Sequence, residues 1–200
     1  AAAGKIPFAS TFAHFAAGRA FDQIRNSIAY PKLNVKICPT HAGVSLGEDG
    51  GSHQSVEDIA LMRSLPGMVV LSPADAVETE QMIFAVAEYN GPVYVRLGRL
   101  NVPVIFDESY EFEIGKGTVM IEGNDVAIIA TGLLVYEAMK ASEALAEKGI
   151  KVRVINMSTI KPLDEKIVLE AAKECKFVVT CEEHSIVGGL GGAVTEYLSG

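Results

Sequence analysis

Short apolar runs that alternate with longer amphipathic stretches constrain this chain more than any other feature. Each run of four or five residues is almost wholly apolar rather than alternating, as in strands that are covered on both faces. The runs fall at Ile6–Ser10, Val35–Cys38, Met68–Leu71, Val93–Leu97, Val126–Ala130, Val152–Ile155 and Phe177–Thr180. Their alternation with amphipathic stretches predicts an α/β protein built from open parallel sheets.

Helix signals lie between the apolar runs. Asp75 followed by Glu78 has the form of a capping box and predicts a helix start. Apolar residues recur at helical spacing between Leu134 and Leu145, and Gly149 stands where a C-cap glycine is expected. A further helix is expected after Pro162.

The chain divides into two α/β units, at about 1–100 and 125–200. Residues 101–124 contain turn signals at Gly115-Lys116-Gly117 and Glu122-Gly123-Asn124, and they predict a linker followed by a small hairpin. The sequence begins at Ala1 just before a strand and stops within a helical pattern. Neither end resembles a natural terminus, so both units are expected to be incomplete.

Composition narrows the possible functions. With 49% hydrophobic and 21% charged residues, the chain can bury an ordinary globular core. The net charge of −8 and the lack of a basic cluster argue against nucleic-acid binding, and no apolar run reaches the ~20 residues that cross a bilayer. Three cysteines without C-x-x-C spacing favour reduced thiols in a cytoplasmic protein.

The richest polar segment, residues 40–54, follows the second predicted strand. Ligands of open parallel sheets bind beyond the carboxyl ends of the strands. Four glycines let the backbone approach a ligand, and His41 and His53 can exchange protons with hydroxyl and carbonyl groups. A flexible solvated turn is the alternative. A metal site at His41, Glu48, Asp49 and His53 is also conceivable, but this spacing matches no standard ligand pattern, so no metal site is predicted.

Three other segments could contact ligands. Phe12 and Phe15 are three apart at a helix start and could stack on a planar ring, although core packing would also explain them. Arg96 and Arg99 near a strand end could bind a phosphate through forked hydrogen bonds, or could be ordinary surface charges. The glycine-rich turn at residues 182–192 could bind an anion at a helix N-terminus, but a structural role for its glycines is favoured.

Taken together, these segments resemble those of transketolases. The run from His41 to Gly50, followed by Ser52-His53-Gln54, resembles the central loop of that family, and Gly47-Glu48-Asp49-Gly50 is its most specific part. The segments 19–25 and 72–75 fit the same family. Residues 182–192 resemble the C-terminal domain that transketolases share with their thiamine-dependent relatives, so the resemblance spans essentially the whole chain.

The resemblance implies an enzyme that moves a two-carbon glycolyl unit from a ketose phosphate to an aldose phosphate through thiamine diphosphate. Residues 1–100 would be the pyrimidine-binding domain and residues 125–200 the start of the C-terminal domain. By this resemblance, Phe12 and Phe15 pack on the aminopyrimidine ring, and His41 and His53 contact sugar oxygens and move protons. Asp49 would hold a donor hydroxyl, and Arg99 would hold the distal phosphate.

The chain departs from the family pattern in two ways. The Glu that activates the cofactor and the Gly-Asp-Gly motif that binds diphosphate and Mg²⁺ have no match here, and a third aromatic found in some members would fall near Gly18. Residues 1–200 are therefore expected to be inactive alone. They would need a diphosphate-binding domain or subunit, within a homo-oligomer or a heterotetramer.

Three alternatives stay open. Deoxyxylulose-phosphate synthase uses the same cofactor, but its loop usually lacks the Glu48-Asp49 pair. The β subunit of a 2-oxo-acid dehydrogenase would have little need for Asp49 and Arg99. A non-catalytic binding or assembly module could retain the fold, because a fold does not establish activity.

Overall fold

The computed structural model describes residues 1–200 and contains nine strands in two sheets. The strands are β1 (Phe8–Ala9), β2 (Lys36–Ile37), β3 (Val69–Leu71), β4 (Val93–Val95), β5 (Thr118–Ile121), β6 (Val126–Ala130), β7 (Val152–Asn156), β8 (Thr159–Lys161) and β9 (Phe177–Cys181). The helices are π1 (His14–Arg19), α1 (Phe21–Gln23), π2 (Ile24–Ala29), α2 (Asp58–Arg63), α3 (Ala76–Glu88), α4 (Leu134–Ala146), α5 (Glu165–Glu174) and α6 (Leu190–Ser199). The predicted α/β class with mostly parallel sheets is confirmed.

The first sheet has the strand order β1-β2-β4-β3-β8. Strands β1 to β4 are parallel, whereas β8 lies antiparallel to β3 and comes from the second half of the chain. Val70 and Tyr94 pack against the helices on one face, and Leu71 and Val95 pack towards α3 on the other. The central strands β3 and β4 are thus buried on both sides, as their apolar sequence indicates, whereas the edge strand β1 is exposed.

The second sheet has the order β5-β7-β6-β9, with β5 antiparallel and the other three strands parallel. The predicted hairpin in residues 101–124 is wrong, because β5 pairs with the distant strand β7. Phe112 and Ile114, which precede the predicted turns, pack against the core of the first sheet. None of the helices combines the length and the apolar composition that crossing a membrane requires.

Helices α3 and α4 form where the sequence predicts them, but the capping box at the start of α3 differs in one hydrogen bond. Asp75 caps α3 by accepting the Glu78 N–H at 2.8 Å, as a capping box requires. Glu78, however, accepts the N–H of Ala74 rather than that of Asp75. Gly149 follows α4 with φ = 78°, and its N–H donates to the Ala146 carbonyl at 2.9 Å.

The first helical region departs from α-helical geometry. In π1 the N–H of Ala20 donates to the Phe15 carbonyl five residues earlier, at 3.1 Å. Such wide turns are frequent at functional sites because they re-aim side chains within a helix. The turn lies directly after β1, at the carboxyl edge of the first sheet.

Candidate functional site

Four rings from two separate segments form one surface at the carboxyl edge of the first sheet. Phe12 and Phe15 lie parallel within 6°, with ring centroids 5.9 Å apart. His41 stacks on Phe12 at 4.0 Å, and the His53 ring meets Phe15 edge-on at 5.2 Å. All four side chains are half-buried. We call this set of four residues the aromatic–histidine surface.

Backbone pairing beyond the strand ends brings the two segments together. Phe12 and Thr40 form a parallel bridge, and the N–H of Ala13 donates to the Thr40 carbonyl at 2.8 Å. The next residue, His41, has φ = 61°, a left-handed conformation that is uncommon for a residue other than glycine. Such strained residues cluster at functional sites, and here the conformation accompanies the stacking of His41 on Phe12.

Each histidine of the surface shares one ring nitrogen with the hydroxyl of its preceding residue. Nδ1 of His41 lies 2.8 Å from Thr40 Oγ1, and Nδ1 of His53 lies 2.9 Å from Ser52 Oγ. These hydrogen bonds orient the rings and leave Nε2 of each ring available. Two oriented imidazoles beside aromatic faces can exchange protons with a ligand bound there.

Two residues outside the predicted site, Arg19 and His14, contact the Phe15 ring of this surface. The Arg19 guanidinium lies 4.5 Å from the Phe15 ring centroid, and Nδ1 of His14 lies 3.8 Å from a Glu57 oxygen. The spacing of four residues between Phe15 and Arg19 was the available signal. Gly18, near which some members of the resembled family carry a third aromatic, has only the His14 ring near the position of an added Cβ, at 3.9 Å.

Arg99 lies in the same loop system but is not free. Its guanidinium donates to the Leu46 carbonyl and pairs with Glu48 at 3.2 Å. The pair is exposed on the Glu48 side and half-buried on the Arg99 side. Asp49 lies in the turn closed by Gly50 and Gly47, is exposed and makes no hydrogen bond. The structure therefore places Arg99 on the loop but does not bring Asp49 to the rings.

Arg96, for which the sequence left phosphate binding and a surface charge as alternatives, is instead a buried structural residue. Its Nε donates to Asp58 at 2.8 Å, and both side chains are almost fully buried. Tyr94 also donates to Asp58 at 2.9 Å, and burial together with the Asp58 charge raises the pKa of Tyr94. Because its guanidinium is buried and paired with Asp58, Arg96 fixes α2 to the sheet and is not available to bind a substrate.

The side chains considered as metal ligands do not converge. No group of three His, Cys, Asp or Glu side chains is placed to hold a metal ion. Glu48 is paired with Arg99, and His41 and His53 both contact the Phe12 ring. The four residues are thus distributed between an ion pair, an exposed turn and an aromatic stack.

The glycine-rich turn at residues 182–192 satisfies its own helix N-terminus. Glu182 accepts the N–H groups of Leu190 at 2.6 Å and Gly191 at 2.9 Å. A Cβ at Gly189 would lie 2.3 Å from the Glu182 carboxylate, so the close packing needs glycine there. The Glu182 carboxylate therefore occupies the position at the helix N-terminus that an anionic ligand would take. This contact agrees with a structural role for the glycines of the turn.

A cavity of about 570 Å³ opens between the two units, beside the aromatic–histidine surface. Ala42, Arg96 and Glu183 are among the residues that line it, but none of the four rings does. This cavity is therefore distinct from the aromatic–histidine surface.

The fold and this surface define an α/β protein whose first sheet presents two phenylalanine rings beside two histidines. Family models for "Transketolase, pyrimidine binding domain" and "Transketolase, C-terminal domain" match residues 1–104 and 115–200 respectively. The chain belongs to the transketolase family, and the resemblance drawn from its loop residues is confirmed.

Similar proteins cover the whole of this chain but are longer. A protein of Methanocaldococcus jannaschii named as a transketolase C-terminal section is 54% identical over 100% of this chain and 63% of its own length. A 6-deoxy-6-sulfo-D-fructose transketolase subunit of Clostridium sp. (strain MSTE9) is 44% identical over 99% of this chain and 62% of its own length. A solved split-gene transketolase, described as an inactive β4 tetramer, superposes with a TM-score of 0.93 at 55% identity. That superposition covers 99% of this chain and 64% of the solved one, so the chain spans less than two thirds of these relatives.

Proposed function

We propose that this chain is the pyrimidine-binding part of a transketolase, which transfers a two-carbon glycolyl unit from a ketose phosphate to an aldose phosphate. The observation that carries the proposal is the aromatic–histidine surface at the carboxyl edge of the first sheet. Such an edge is where open parallel sheets bind their ligands. Membership of the transketolase family supports the choice of reaction.

The two phenylalanine rings fit the aminopyrimidine ring of thiamine diphosphate. They are parallel within 6° and half-buried, so they offer aromatic surface to a planar ligand ring. Arg19 holds Phe15 in place through its contact with the ring. When bound, thiamine diphosphate supplies the nucleophilic carbon and the electron sink of the reaction, and this chain supplies position and proton transfer.

His41 and His53 would move protons to and from sugar oxygens. Their Nδ1 atoms are held by Thr40 and Ser52, so the available Nε2 atoms are the ones that can reach a substrate hydroxyl or carbonyl. Stacking on Phe12 fixes the plane of His41 next to the proposed ring site. Both histidines would then lie beside the bond that is made or broken.

Arg99 would bind the distal phosphate of donor or acceptor. A phosphate would replace Glu48 on the guanidinium, because the Glu48 side chain is 86% exposed and an exposed ion pair contributes little. Asp49 would hold a donor hydroxyl, and its exposed turn would close towards the rings when sugar binds. Both roles predict a preference for hydroxylated, phosphorylated ketoses.

A diphosphate-binding portion, as a domain or a separate subunit, would hold Mg²⁺ and the diphosphate, and residues 1–200 would be inactive without it. The similar solved chain that is described as an inactive β4 tetramer supports this assignment and an oligomeric assembly. We further propose the domain limits 1–100 and 125–200 and an assembly that is a homo-oligomer or a heterotetramer. The protein would be located in the cytoplasm and would take part in pentose phosphate metabolism.

The test combines the full natural chain with its diphosphate-binding portion, thiamine diphosphate and Mg²⁺. Two-carbon transfer from xylulose phosphate to ribose phosphate is expected. Turnover of pyruvate with glyceraldehyde phosphate instead would indicate the synthase reaction. Neither activity in a folded assembly that binds the cofactor would favour a non-catalytic binding module.

A further inference from the structure

The second unit reaches the glycine-rich loop of the first through one carboxylate, Glu183. Its Oε1 accepts the N–H of Ser45 at 2.9 Å, and its Oε2 accepts the Ser45 hydroxyl at 3.1 Å. We propose that Glu183 is a positioning residue that holds this loop, and through it Arg99, in the geometry that the proposed transfer reaction requires.

Backbone hydrogen bonds from the rest of the first unit hold this loop only as far as Gly43, and Glu183 binds the loop two residues later, at Ser45. The N–H groups of Ala42 and Gly43 donate to the carbonyls of Leu97 and Ser55, at 3.1 and 2.9 Å. Beyond Gly43, side chains hold the loop: Gln54 donates to the Val44 carbonyl, Glu183 accepts from Ser45 and Arg99 donates to the Leu46 carbonyl. Of these three side chains, only Glu183 is supplied by the second unit.

Gly43 makes this contact possible. It has φ = 89°, and a Cβ added there would lie 2.7 Å from Glu183 Oε2. A residue with a side chain would therefore be strained in its backbone and would displace the carboxylate. The glycine that follows Ala42 in this loop thus serves an approach from the second unit rather than flexibility.

Glu183 is itself held rigidly. Its carbonyl accepts from Arg96 Nη2 at 2.7 Å, and Arg96 is fixed by its buried pair with Asp58. On the same segment, the Ser185 N–H donates to the Val56 carbonyl at 2.7 Å. Because the carboxylate is already ordered, its two charge-assisted hydrogen bonds cost little further entropy.

The position of Ser45 is transmitted to Arg99 through the next residue. Leu46 is fully buried, and its carbonyl accepts from the Arg99 guanidinium. A Cβ at Gly47 would lie 2.8 Å from Arg99 Nη1, so the loop wraps closely around that group. Loosening Ser45 would therefore loosen the group that is proposed to bind the sugar phosphate, and this consequence depends on the proposed function.

Amide hydrogen exchange of the full natural chain, assembled with its diphosphate-binding portion, tests the positioning role. We expect Glu183→Ala to speed exchange across residues 43–49 by about tenfold, and Glu183→Gln to restore most of the protection because its amide oxygen can still accept from Ser45. Glu196→Ala is the matched control. Glu196 also joins the second unit to the first, through Arg63 at 2.6 Å, but it does not touch the loop.

Kinetics of the same variants test the link to Arg99. We expect Glu183→Ala to raise KM for the phosphorylated acceptor about fivefold while kcat changes less than about twofold, and Glu183→Gln to stay near wild type. If Glu183→Ala does not fold, Glu183→Asp replaces it: it keeps the charge but is one methylene shorter, and it should speed loop exchange about threefold.

Loop exchange that stays at the wild-type rate in these shortened variants would overturn the positioning role. Faster exchange with an unchanged KM would overturn the link to Arg99. If wild-type protein shows no two-carbon transfer, the proposed function fails, while the exchange measurement still decides whether Glu183 holds the loop.

Discussion

The two sheets carry glycine-rich turns at corresponding carboxyl edges but use their polar groups in opposite ways. At the first sheet, Phe12, His41 and His53 form a half-buried face whose Nε2 atoms have no partner within the chain. At the second sheet, Glu182 fills the N-terminus of α6. A glycine-rich turn after a strand therefore indicates a ligand site only where the chain leaves its polar groups unpaired.

The interiors of the two units also differ, because the first unit buries charged side chains and the second does not. The buried charged side chains all belong to the first hundred residues, and they are Lys36, Asp58, Asp75, Glu78 and Arg96. Buried charges are costly unless they are paired and hydrogen-bonded. The unit that presents the aromatic–histidine surface is thus built on a rigid polar framework, whereas the second unit has a conventional apolar core.

The largest expected effect separates Arg96 from Arg99. Arg96→Met should lower the free energy of unfolding by about 3–5 kcal/mol, because it leaves the buried Asp58 carboxylate unpaired. Arg99→Met should cost only about 1 kcal/mol, since it loses an exposed ion pair with Glu48 and one hydrogen bond to the Leu46 carbonyl. Urea unfolding of both variants measures the difference, and equal losses would show that the two arginines were wrongly distinguished.

The next effect concerns catalysis at the first edge. His53→Ala in the assembled protein should lower kcat at least about 100-fold, because general acid–base groups contribute that much. Its unfolding free energy should fall by only about 0.5–1.5 kcal/mol, since the half-buried His53 ring loses its edge-on contact with Phe15 and a hydrogen bond to the Ser52 hydroxyl. Steady-state kinetics with a ketose phosphate donor measures the loss. A change below about threefold would remove His53 from the proposed proton transfer.

A smaller effect concerns the second edge. Glu182→Ala should destabilise the chain by about 1–2 kcal/mol, because it uncaps α6 and removes a negative charge from the helix N-terminus. Glu137→Ala, which removes an exposed pair with Lys140 on α4, is the control and should change stability by less than about 0.5 kcal/mol. Thermal unfolding compares the two. A stable Glu182→Ala protein would leave the second edge open to an external anion.

The smallest expected effect is a pH dependence from the framework of the first unit. Burial lowers the pKa of Lys36 to about 8, so the unfolded chain binds more protons than the folded chain above that pH. Stability should therefore rise with pH between about 8 and 9, below the range in which the raised pKa of Cys38 has the opposite effect. Chemical unfolding at several pH values measures this slope, which Lys36→Met should remove. A slope retained in the variant would assign it to another group.

The sequence predicted the fold wherever a local pattern decides the structure. The parallel strands form at the apolar runs. As expected, Asp75 caps the start of α3, and Gly149 follows the end of α4. Strands β5 and β8 escaped prediction because each is an antiparallel edge strand whose pairing depends on a distant partner. Short edge strands of this kind carry little pattern of their own.

For the site, the loop motif identified the residue types but not their partners. The stacking of His41 on Phe12 joins residues 29 positions apart, and only the fold brings them together. Arg96 and Arg99 look alike in sequence, yet a buried carboxylate fixes one and an exposed glutamate pairs with the other. The role of Glu183 was hidden because it depends on contact between the two units.

The affinity of the assembled protein for thiamine diphosphate tests the contrast between the two edges most directly. Isothermal titration with Mg²⁺ present should show Kd raised about tenfold in Phe12→Leu, which keeps the apolar bulk but removes the ring face. Kd should be unchanged in Glu182→Gln, which alters only the second edge. An unchanged Kd in Phe12→Leu, or a larger loss in Glu182→Gln, would contradict the assignment of the cofactor-binding face to the first sheet.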